Sequence, residues 1–365
     1  MKLRIPDYIK SIKPYKPGKP IEELEREYGI SGSIKLASNE NPLGSSPKAL
    51  SAMQAAMDKL HRYPDGSGYY LVEKLAGKLG VDPGCIVLGN GSDEIIGMLT
   101  RALMQPGDEA IMTDPSFLMY EIMVRSVGAE PVFVPLKSLF VDLDDMAARI
   151  TDSTRIIFLN NPANPTGTII SKDEFARFME QVPEHVAVVI DEAYIEFAAD
   201  PDCLDGLAWA AGDRAVAVLR TFSKAYGLAG IRIGYGVMPG ELAELLHRVR
   251  QPFNANALAQ AGACAALDDD DFLGKTVSLV RSELEFLYAG LEHLGVNYFP
   301  SEANFFLIDV QGDAEAFFEA MLRQGVIVRS MASYGYPEYI RINAGTREEN
   351  QRFLAAFERV MKRSI

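Results

Sequence analysis

The chain has 365 residues, of which 48% are hydrophobic and 24% charged, and its formal net charge is -14. This composition is typical of a globular protein with room for two domains, and the acidic balance disfavours a nucleic-acid or anionic-membrane surface while allowing a small basic pocket for an anionic ligand. The three cysteines are widely spaced and the four histidines lack metal-ligand spacing, so we expect neither disulfides nor a metal.

The N-terminus is expected to be an arm, residues 1–35, that packs on the small domain or on a partner subunit. Its prolines predict an extended segment, and IEELEREYG predicts a short helix that ends at Gly29. It contains no apolar signal region, and no run in the chain approaches the roughly 18 to 20 apolar residues of a membrane span. We therefore expect a cytoplasmic protein.

Residues 36–248 are predicted to form the large domain. It opens with the loop LASNENPLGSSP, the helical pattern PKALSAMQAAMDKL and the turn-rich RYPDGSG, which precedes a second amphipathic helix. Seven apolar runs follow, mostly separated by helical patterns: CIVLG, EAIMT, EPVFVPL, RIIFLN, VAVVID, AVAVLRT and IRIGYGVM. Continuous apolar strands indicate a sheet that is covered on both faces, so we expect an α/β fold with a mostly parallel sheet flanked by helices.

Residues 249–365 are predicted to form a smaller α+β domain. Long helical patterns, NALAQAGACAALDDDDFLGK and TVSLVRSELEFLYAGLEHLG, are followed by short strands, ANFFLIDV, GVIVRS and YIRINAG. The acidic run 268–271 is expected to be a solvated helix boundary.

Ligands of such sheets bind beyond the carboxyl ends of the strands, so the residues after each apolar run are considered together. After CIVLG, Gly91 permits a tight turn, and Ser92 and Asp93 begin a helix whose free N–H groups could bind a phosphate or could simply be capped. After EAIMT, Phe117 could stack on a planar ligand or belong to the core.

The next strand ends carry an amide and a carboxylate. Asn164 lies between two prolines in NPANPTG, and so rigid a backbone favours a functional amide. Asp191 ends an apolar strand, where a carboxylate is costly unless it faces a cation. That cation could be a protonated ring nitrogen, with Tyr194 bonding the same ligand, or it could be an arginine.

After AVAVLRT come Ser223 and Lys224, with Arg232 further on. A lysine at the end of a core strand is costly to desolvate, which favours chemistry, although it could also reach out to solvent. Together these strand ends match what pyridoxal 5'-phosphate requires. Lys224 would bond the cofactor covalently and Asp191 would keep its ring nitrogen protonated, and the phosphate would lie among Ser92, Asp93, Ser223 and Arg232.

NPANPTG, DEAY and TFSKAYGLAGIRIGY look like the fold-type I aminotransferases. Within that superfamily KPYKPGKP, LASNENPLG, RYPD, PFNANALAQ, GVIVRS and YIRINAGTREEN resemble the histidinol-phosphate aminotransferase family. The resemblance implies a homodimer in which Tyr63 of the RYP motif reaches the cofactor phosphate of the neighbouring subunit.

The resemblance also implies a set of substrate-binding residues. Arg341 would hold the anionic end of the substrate and Arg329 would help to bind the phosphate of histidinol phosphate, whereas a pair of surface ion pairs is the alternative. Asn39 and Tyr15 match positions that line the entrance. Phe117 departs from the tyrosine of many relatives, which keeps the stacking ring but removes a hydroxyl contact.

The reaction implied is amino transfer between histidinol phosphate and 2-oxoglutarate, which gives imidazole acetol phosphate and glutamate in histidine biosynthesis. An aromatic amino-acid aminotransferase and a threonine-phosphate decarboxylase are alternatives on the same scaffold, because residues 330–334 differ from the family. A non-catalytic regulator is disfavoured, since no basic helix-turn-helix segment is present.

Overall fold

A computed structural model describes residues 3–15 and 18–362 of the chain. Lys16 and Pro17 of the KPYKPGKP motif lie outside the described residues. The helices are α1 (Asp7–Ser11), α2 (Ile21–Tyr28), α3 (Pro47–Ala56), α4 (Tyr69–Leu79), α5 (Ser92–Leu103), α6 (Leu118–Ser126), α7 (Leu143–Ala148), α8 (Lys172–Met179), α9 (Leu207–Ala210), α10 (Gly240–Val249), α11 (Ala257–Ala266), α12 (Asp270–His293), α13 (Ala314–Arg323) and α14 (Arg347–Met361).

The strands are β1 (Ile34–Lys35), β2 (Ile86–Gly89), β3 (Glu109–Asp114), β4 (Glu130–Pro135), β5 (Thr154–Asn160), β6 (Ala187–Asp191), β7 (Val216–Thr221), β8 (Gly234–Val237), β9 (Tyr298–Phe299), β10 (Phe305–Asp309), β11 (Val326–Ile327), β12 (Arg329–Ser330) and β13 (Tyr339–Asn343). None of the helices within the described ranges is both long and apolar enough to cross a membrane.

A seven-stranded sheet in the order β2-β8-β7-β6-β5-β3-β4 forms the centre of the fold. β3 to β7 pair in parallel, and β8 runs antiparallel to both of its neighbours. The seven apolar runs of the sequence form these strands, and one apolar cluster packs on each face. The predicted α/β fold with a mostly parallel sheet is therefore confirmed.

A second, antiparallel sheet has the strand order β12-β13-β10-β9 and packs with α12, α13 and α14 around its own apolar core. This places a smaller α+β unit in the C-terminal part of the chain. The domain boundaries at residues 35 and 248 stay predictions.

The N-terminal arm is more helical than expected, because α1 forms in the proline-free stretch between Pro6 and Pro14. α2 ends at Gly29 in the left-handed conformation, as the sequence indicates. β1 then pairs in parallel with β11 beside the second sheet. This pairing carries the chain into the segment 36–41, which runs between the two sheets.

The acidic run 268–271 spans the end of the α11–α12 connection and the first turn of α12, so it does mark a helix boundary, but one of its four carboxylates is buried and not solvated. Asp269 is buried and accepts a hydrogen bond of 2.6 Å from the Ser46 hydroxyl. Lys78 of α4 forms an ion pair of 2.8 Å with Asp270. The run therefore joins α12 to α3 and α4.

Candidate active site

A cavity of about 200 Å³ opens at the carboxyl ends of the parallel strands, and a second one of about 110 Å³ adjoins it. Every predicted site residue except Gly91 and Tyr63 lines at least one of them. The first is lined by Tyr15, Ser92, Asp93, Phe117, Asn160, Asn164, Asp191, Ala193, Tyr194, Thr221, Ser223, Lys224 and Arg232. The second contains Asn39, Arg329, Tyr334 and Arg341, and shares Tyr15, Phe117, Asn164, Tyr194 and Lys224.

The N-terminus of α5 forms one end of the first cavity. Gly91 precedes the helix at φ 81°, and a Cβ there would lie 2.3 Å from Nη2 of Arg232. A Cβ on Gly234 would lie 2.6 Å from the amide nitrogen of Ser92. Both glycines are therefore needed for the close approach of β8, Arg232 and the helix start, and no side chain caps the N–H groups of α5.

Arg232 is held against this helix start. Its Nη1 donates to the Ser223 hydroxyl at 3.1 Å, and its Nη2 donates to the Asp93 carboxylate at 3.1 Å. The backbone of Arg232 has φ 55°, a strained conformation for a side chain of this size. A guanidinium, a hydroxyl and a helix N-terminus within one cradle suit a phosphate group.

Asp191 is buried at the other end of the cavity. Its Oδ2 accepts a hydrogen bond of 2.7 Å from the Tyr120 hydroxyl, and its Oδ1 accepts one of 3.2 Å from the Ala193 amide. Burial raises the pKa of Asp191 to about 6, and the Tyr120 bond opposes that rise. The alternative considered for Asp191 was an ion pair with an arginine, but the ion pairs of the described residues include none between Asp191 and an arginine, and Arg220 on the adjacent strand pairs with the next residue, Glu192.

Tyr120 was missed by the sequence reasoning. It lies three residues after Phe117, and its ring stacks on Phe158 at 4.7 Å while meeting Phe117 edge-on at 5.6 Å. It thus supports both the stacking ring and the carboxylate. The i, i+3 spacing from Phe117 was the available signal.

The Tyr194 hydroxyl accepts two hydrogen bonds, from Nδ2 of Asn39 at 3.0 Å and from Nδ2 of Asn164 at 3.3 Å. Oδ1 of Asn164 in turn accepts from Arg341, which fixes the orientation of that amide. Oδ1 of Asn160 accepts a hydrogen bond of 2.6 Å from the backbone N–H of Asn164. Asn160 is another residue that the sequence reasoning missed. Burial raises the pKa of Tyr194 to about 12, so the phenol keeps its proton and can donate it to a ligand.

Lys224 lies between these groups. Its Nζ donates to the Ser38 carbonyl at 3.1 Å and lies 5.7 Å from the centroid of the Tyr194 ring. Burial, followed by the charge of Arg341, lowers the pKa of Lys224 to about 8. Roughly a tenth of the amine is therefore neutral and nucleophilic at pH 7, far more than for a lysine with its ordinary pKa of 10.5.

The two predicted substrate arginines are directly opposite each other on β12 and β13. Arg341 is only 7% exposed, which excludes a surface ion pair for it. Its Nη2 donates to the Ala37 carbonyl at 3.1 Å, and its Nε has no hydrogen-bond partner within the described part of the chain. Arg341 thus lines the second cavity with a buried guanidinium that is not fully hydrogen-bonded.

Tyr63 is placed apart from the cavities of its own chain. Its side chain is 82% exposed and stacks on Phe253 at 4.6 Å. Tyr15 is half exposed and lines both cavities. In residues 3–15 and 18–362, no three His, Cys, Asp or Glu side chains come close enough together to hold a metal ion.

The donor set fits pyridoxal 5'-phosphate. The cradle at Arg232 offers cationic and N–H donors to a phosphate, Asp191 lines the cavity with a carboxylate that suits a ring N–H, and Lys224 supplies an amine in the same cavity. Asn164 and Tyr194 offer donors to a phenolic oxygen.

The chain was also compared with known proteins. Residues 31–357 match the family model described as aminotransferase class I and II. A histidinol-phosphate aminotransferase of Desulfotalea psychrophila is 49% identical over 99% of this chain and 96% of its own, and one of Moorella thermoacetica is 47% identical over 97% and 92%. The crystal structure of the Sinorhizobium meliloti histidinol-phosphate aminotransferase in complex with pyridoxal-5'-phosphate has a TM-score of 0.90 at 28% identity, covering 99% of this chain and 98% of its own.

Replacing Tyr120 by phenylalanine tests its bond to Asp191. The ring stays but the donor is lost, so the pKa of Asp191 should rise above its present value of about 6. Because Asp191 must be ionised to pair with a protonated ring nitrogen, the acid limb of cofactor binding and of kcat/KM should move to higher pH by roughly one unit. Tyr288→Phe is the matched control, since Tyr288 is also stacked and hydrogen-bonded but lies outside both cavities. An unchanged acid limb in Tyr120→Phe would contradict this role.

The lowered pKa of Lys224 predicts two pH dependences. Capture of pyridoxal phosphate by the cofactor-free protein, followed by stopped-flow absorbance, should become faster with pH and level off above about pH 8. An unfolded lysine keeps its proton up to its ordinary pKa of 10.5. Between the two values the unfolded chain binds more protons than the folded chain, so this residue makes the free energy of unfolding rise with pH.

Thermal unfolding at several pH values measures the second dependence. Lys224→Met should remove this contribution, whereas the exposed Lys275→Met should not. The account of Lys224 fails if wild type and Lys224→Met show the same pH dependence of stability.

Proposed function

The chain belongs to the class I and II aminotransferases, and from that premise we propose that it transfers the amino group between histidinol phosphate and 2-oxoglutarate, giving imidazole acetol phosphate and glutamate, in histidine biosynthesis in the cytoplasm. One observation carries the proposal: the paired arginines Arg329 and Arg341 line the cavity that also contains the Lys224 amine. The relatives at 49% and 47% identity are named histidinol-phosphate aminotransferases, which supports the proposal.

The proposed cofactor is pyridoxal 5'-phosphate, which supplies an electron sink for the Cα–H bond of the amino donor. Its phosphate would be held by Arg232, Ser223 and the helix start at Gly91, Ser92 and Asp93. Phe117 would stack on its ring. Asp191 would hold the proton of the ring nitrogen, while Asn164 and Tyr194 would donate to the phenolic oxygen.

Lys224 is the proposed acid and base. With pyridoxal phosphate and the amino donor bound, the free amine of Lys224 would take the proton from the donor Cα and would hold it for return to the bound ligand. The pKa of about 8 suits both tasks, because the group can take up and release a proton near neutral pH.

The substrate anion would be held by the small sheet. Arg341 offers one guanidinium, and Arg329 offers a second from the adjacent strand, since both residues line the same cavity. Asn39 and Tyr15 would line the entrance. Two guanidinium groups can balance the charge of a phosphate monoester, which favours a phosphorylated amine over an aromatic amino acid.

We further propose that the chain works as a homodimer with shared active sites. Tyr63 is exposed and stacks on the exposed Phe253. Several large side chains close to Tyr63 in sequence are exposed as well, namely Met57, Leu60, Tyr69 and Tyr70. A second copy of the chain would cover Tyr63 and receive it at its cofactor phosphate.

A half-reaction titration tests the substrate. Loss of absorption from the lysine-bound cofactor is followed with histidinol phosphate and with a panel of amino acids. Histidinol phosphate and glutamate should react, with phenylalanine and tyrosine at least about tenfold less efficient, a difference of about 1.4 kcal/mol. Lys224→Ala is the control that should lack both the absorption and turnover. A clear preference for phenylalanine, or release of carbon dioxide from threonine phosphate without a keto acid, would overturn the assignment.

Mixed dimers test the shared site. Tyr63→Phe homodimers should bind pyridoxal phosphate about tenfold more weakly, since a hydrogen bond to a charged group is lost. When Tyr63→Phe subunits are mixed with Lys224→Ala subunits, one site in each mixed dimer combines an intact Lys224 with a partner's intact Tyr63. Wild-type affinity should return at that site. Mixed dimers that bind pyridoxal phosphate no better than Tyr63→Phe homodimers would contradict a site shared between subunits. The control is Tyr70→Phe, which changes another exposed tyrosine.

A further inference from the structure

A buried ion pair lies directly behind the active site. Glu192 is 0% exposed and Arg220 is 9% exposed. Nε and Nη2 of Arg220 both donate to Oε2 of Glu192, at 2.9 and 2.7 Å, and the Gly206 amide donates to the other carboxylate oxygen at 2.6 Å. Both oxygens of Glu192 are thus bonded, in a fixed orientation.

The pair joins the two strands that carry Asp191 and Lys224. Glu192 directly follows Asp191 at the end of β6, and Arg220 belongs to β7, four residues before Lys224. The two strands are parallel neighbours, with Asp191 opposite Leu219, and the Glu192 amide donates to the Leu219 carbonyl at 2.8 Å. Because side chains alternate across a strand, Asp191 and Thr221 line the cavity, whereas Glu192 and Arg220 lie behind it.

Stability alone does not explain this pair. A buried ion pair commonly contributes no more than a well-packed apolar pair of similar volume, because both charges must be desolvated. Arg220 is also shared among several acids: its Nη2 donates to Asp205 at 2.9 Å, and its charge opposes the burial-raised pKa of the nearby Glu196. An ion pair does, however, fix orientation more sharply than apolar packing, which suits a site that needs its groups placed within about 0.5 Å.

We propose that Arg220 and Glu192 are positioning residues for the transamination proposed above: their ion pair locks the ends of β6 and β7 together and so sets the placement of the Asp191 carboxylate relative to the Lys224 amine. Neither residue touches the substrate or the cofactor. Loss of the lock lets the end of β6 shift against β7, which weakens the hold of Asp191 on the ring nitrogen and misplaces Lys224 for proton transfer.

The test uses the full-length holoenzyme and the variants Glu192→Gln and Arg220→Lys. Glu192→Gln keeps the shape but removes the charge, and Arg220→Lys keeps the charge but cannot make the same set of bonds. The matched control is Glu283→Gln. Glu283 is similarly buried and is bonded by Arg347 and Asn350, but it belongs to α12 and pairs with neither β6 nor β7. For each protein we measure the melting temperature, the pH titration of the bound cofactor's absorbance, and kcat and KM for histidinol phosphate.

Glu192→Gln and Arg220→Lys should each lower kcat about ten- to hundredfold and change KM less than about threefold, as expected for misplaced catalytic groups. The midpoint of the absorbance titration should shift by about half a pH unit or more. Glu283→Gln should lower only the melting temperature. The proposal is overturned if Glu192→Gln and Arg220→Lys keep the wild-type midpoint and kcat. It is also overturned if Glu283→Gln changes the midpoint and kcat to the same extent as these variants do.

A replacement variant and a readout without substrate complete the test. If Glu192→Gln does not fold, the double variant Glu192→Gln/Arg220→Gln, which removes both charges of the pair, is measured instead against the same two outcomes. The absorbance titration needs no substrate, so it decides the role of the pair even if the wild-type enzyme prefers an amino donor other than histidinol phosphate.

Discussion

The burial of charge at the carboxyl ends of the parallel strands is the constraint on which this site depends. Asp191 ends a fully buried strand, and its pKa is already raised to about 6. The carboxylate needs donors to stay ionised, and Tyr120 supplies one. The stack of Tyr120 on Phe158 fixes that phenol, and its edge contact with Phe117 joins the carboxylate to the stacking ring. Charge and shape are thus set by the same aromatic group.

A second set of bonds joins the two sheets across the site. The segment 36–41 is hydrogen-bonded to the small-sheet side of the site. The backbone N–H of Asn39 donates to Oδ1 of Asn343 at 3.0 Å, and the backbone carbonyl of Asn39 accepts from Nδ2 of Asn304 at 3.2 Å. The same segment bonds the large sheet through the Asn39 side chain to Tyr194, and its Ser38 carbonyl accepts from Lys224. The Asn39 backbone has φ 55°. This strain is tolerated because bonds on both sides hold the residue in place.

The sequence predicts the strands well because continuous apolar runs bounded by turns have few other solutions. It also predicts many cavity residues, since the carboxyl ends of parallel strands meet at one edge and the residues after them must come together. It does not predict Tyr120, Asn160 or the pair Glu192 and Arg220. Their places depend on which face of a helix or strand turns towards the site, and on contacts between distant segments that no local pattern encodes. The domain boundaries and the roles of individual site residues stay predictions.

The pKa shifts of the buried ionisable groups relate the stability of the fold to the ligands that the site would bind. Burial raises the pKa of Asp191 and lowers the pKa of Lys224 and Arg341, so folding disfavours the charged form of each group. A ring cation at Asp191 and a substrate anion at Arg341 would supply the opposite charges that these two groups lack in the protein alone. A ligand with that charge pattern would bind the folded chain and not the unfolded one, so it would raise the free energy of unfolding. The charges that make the site costly to fold are thus the ones that would favour binding of the proposed ligands.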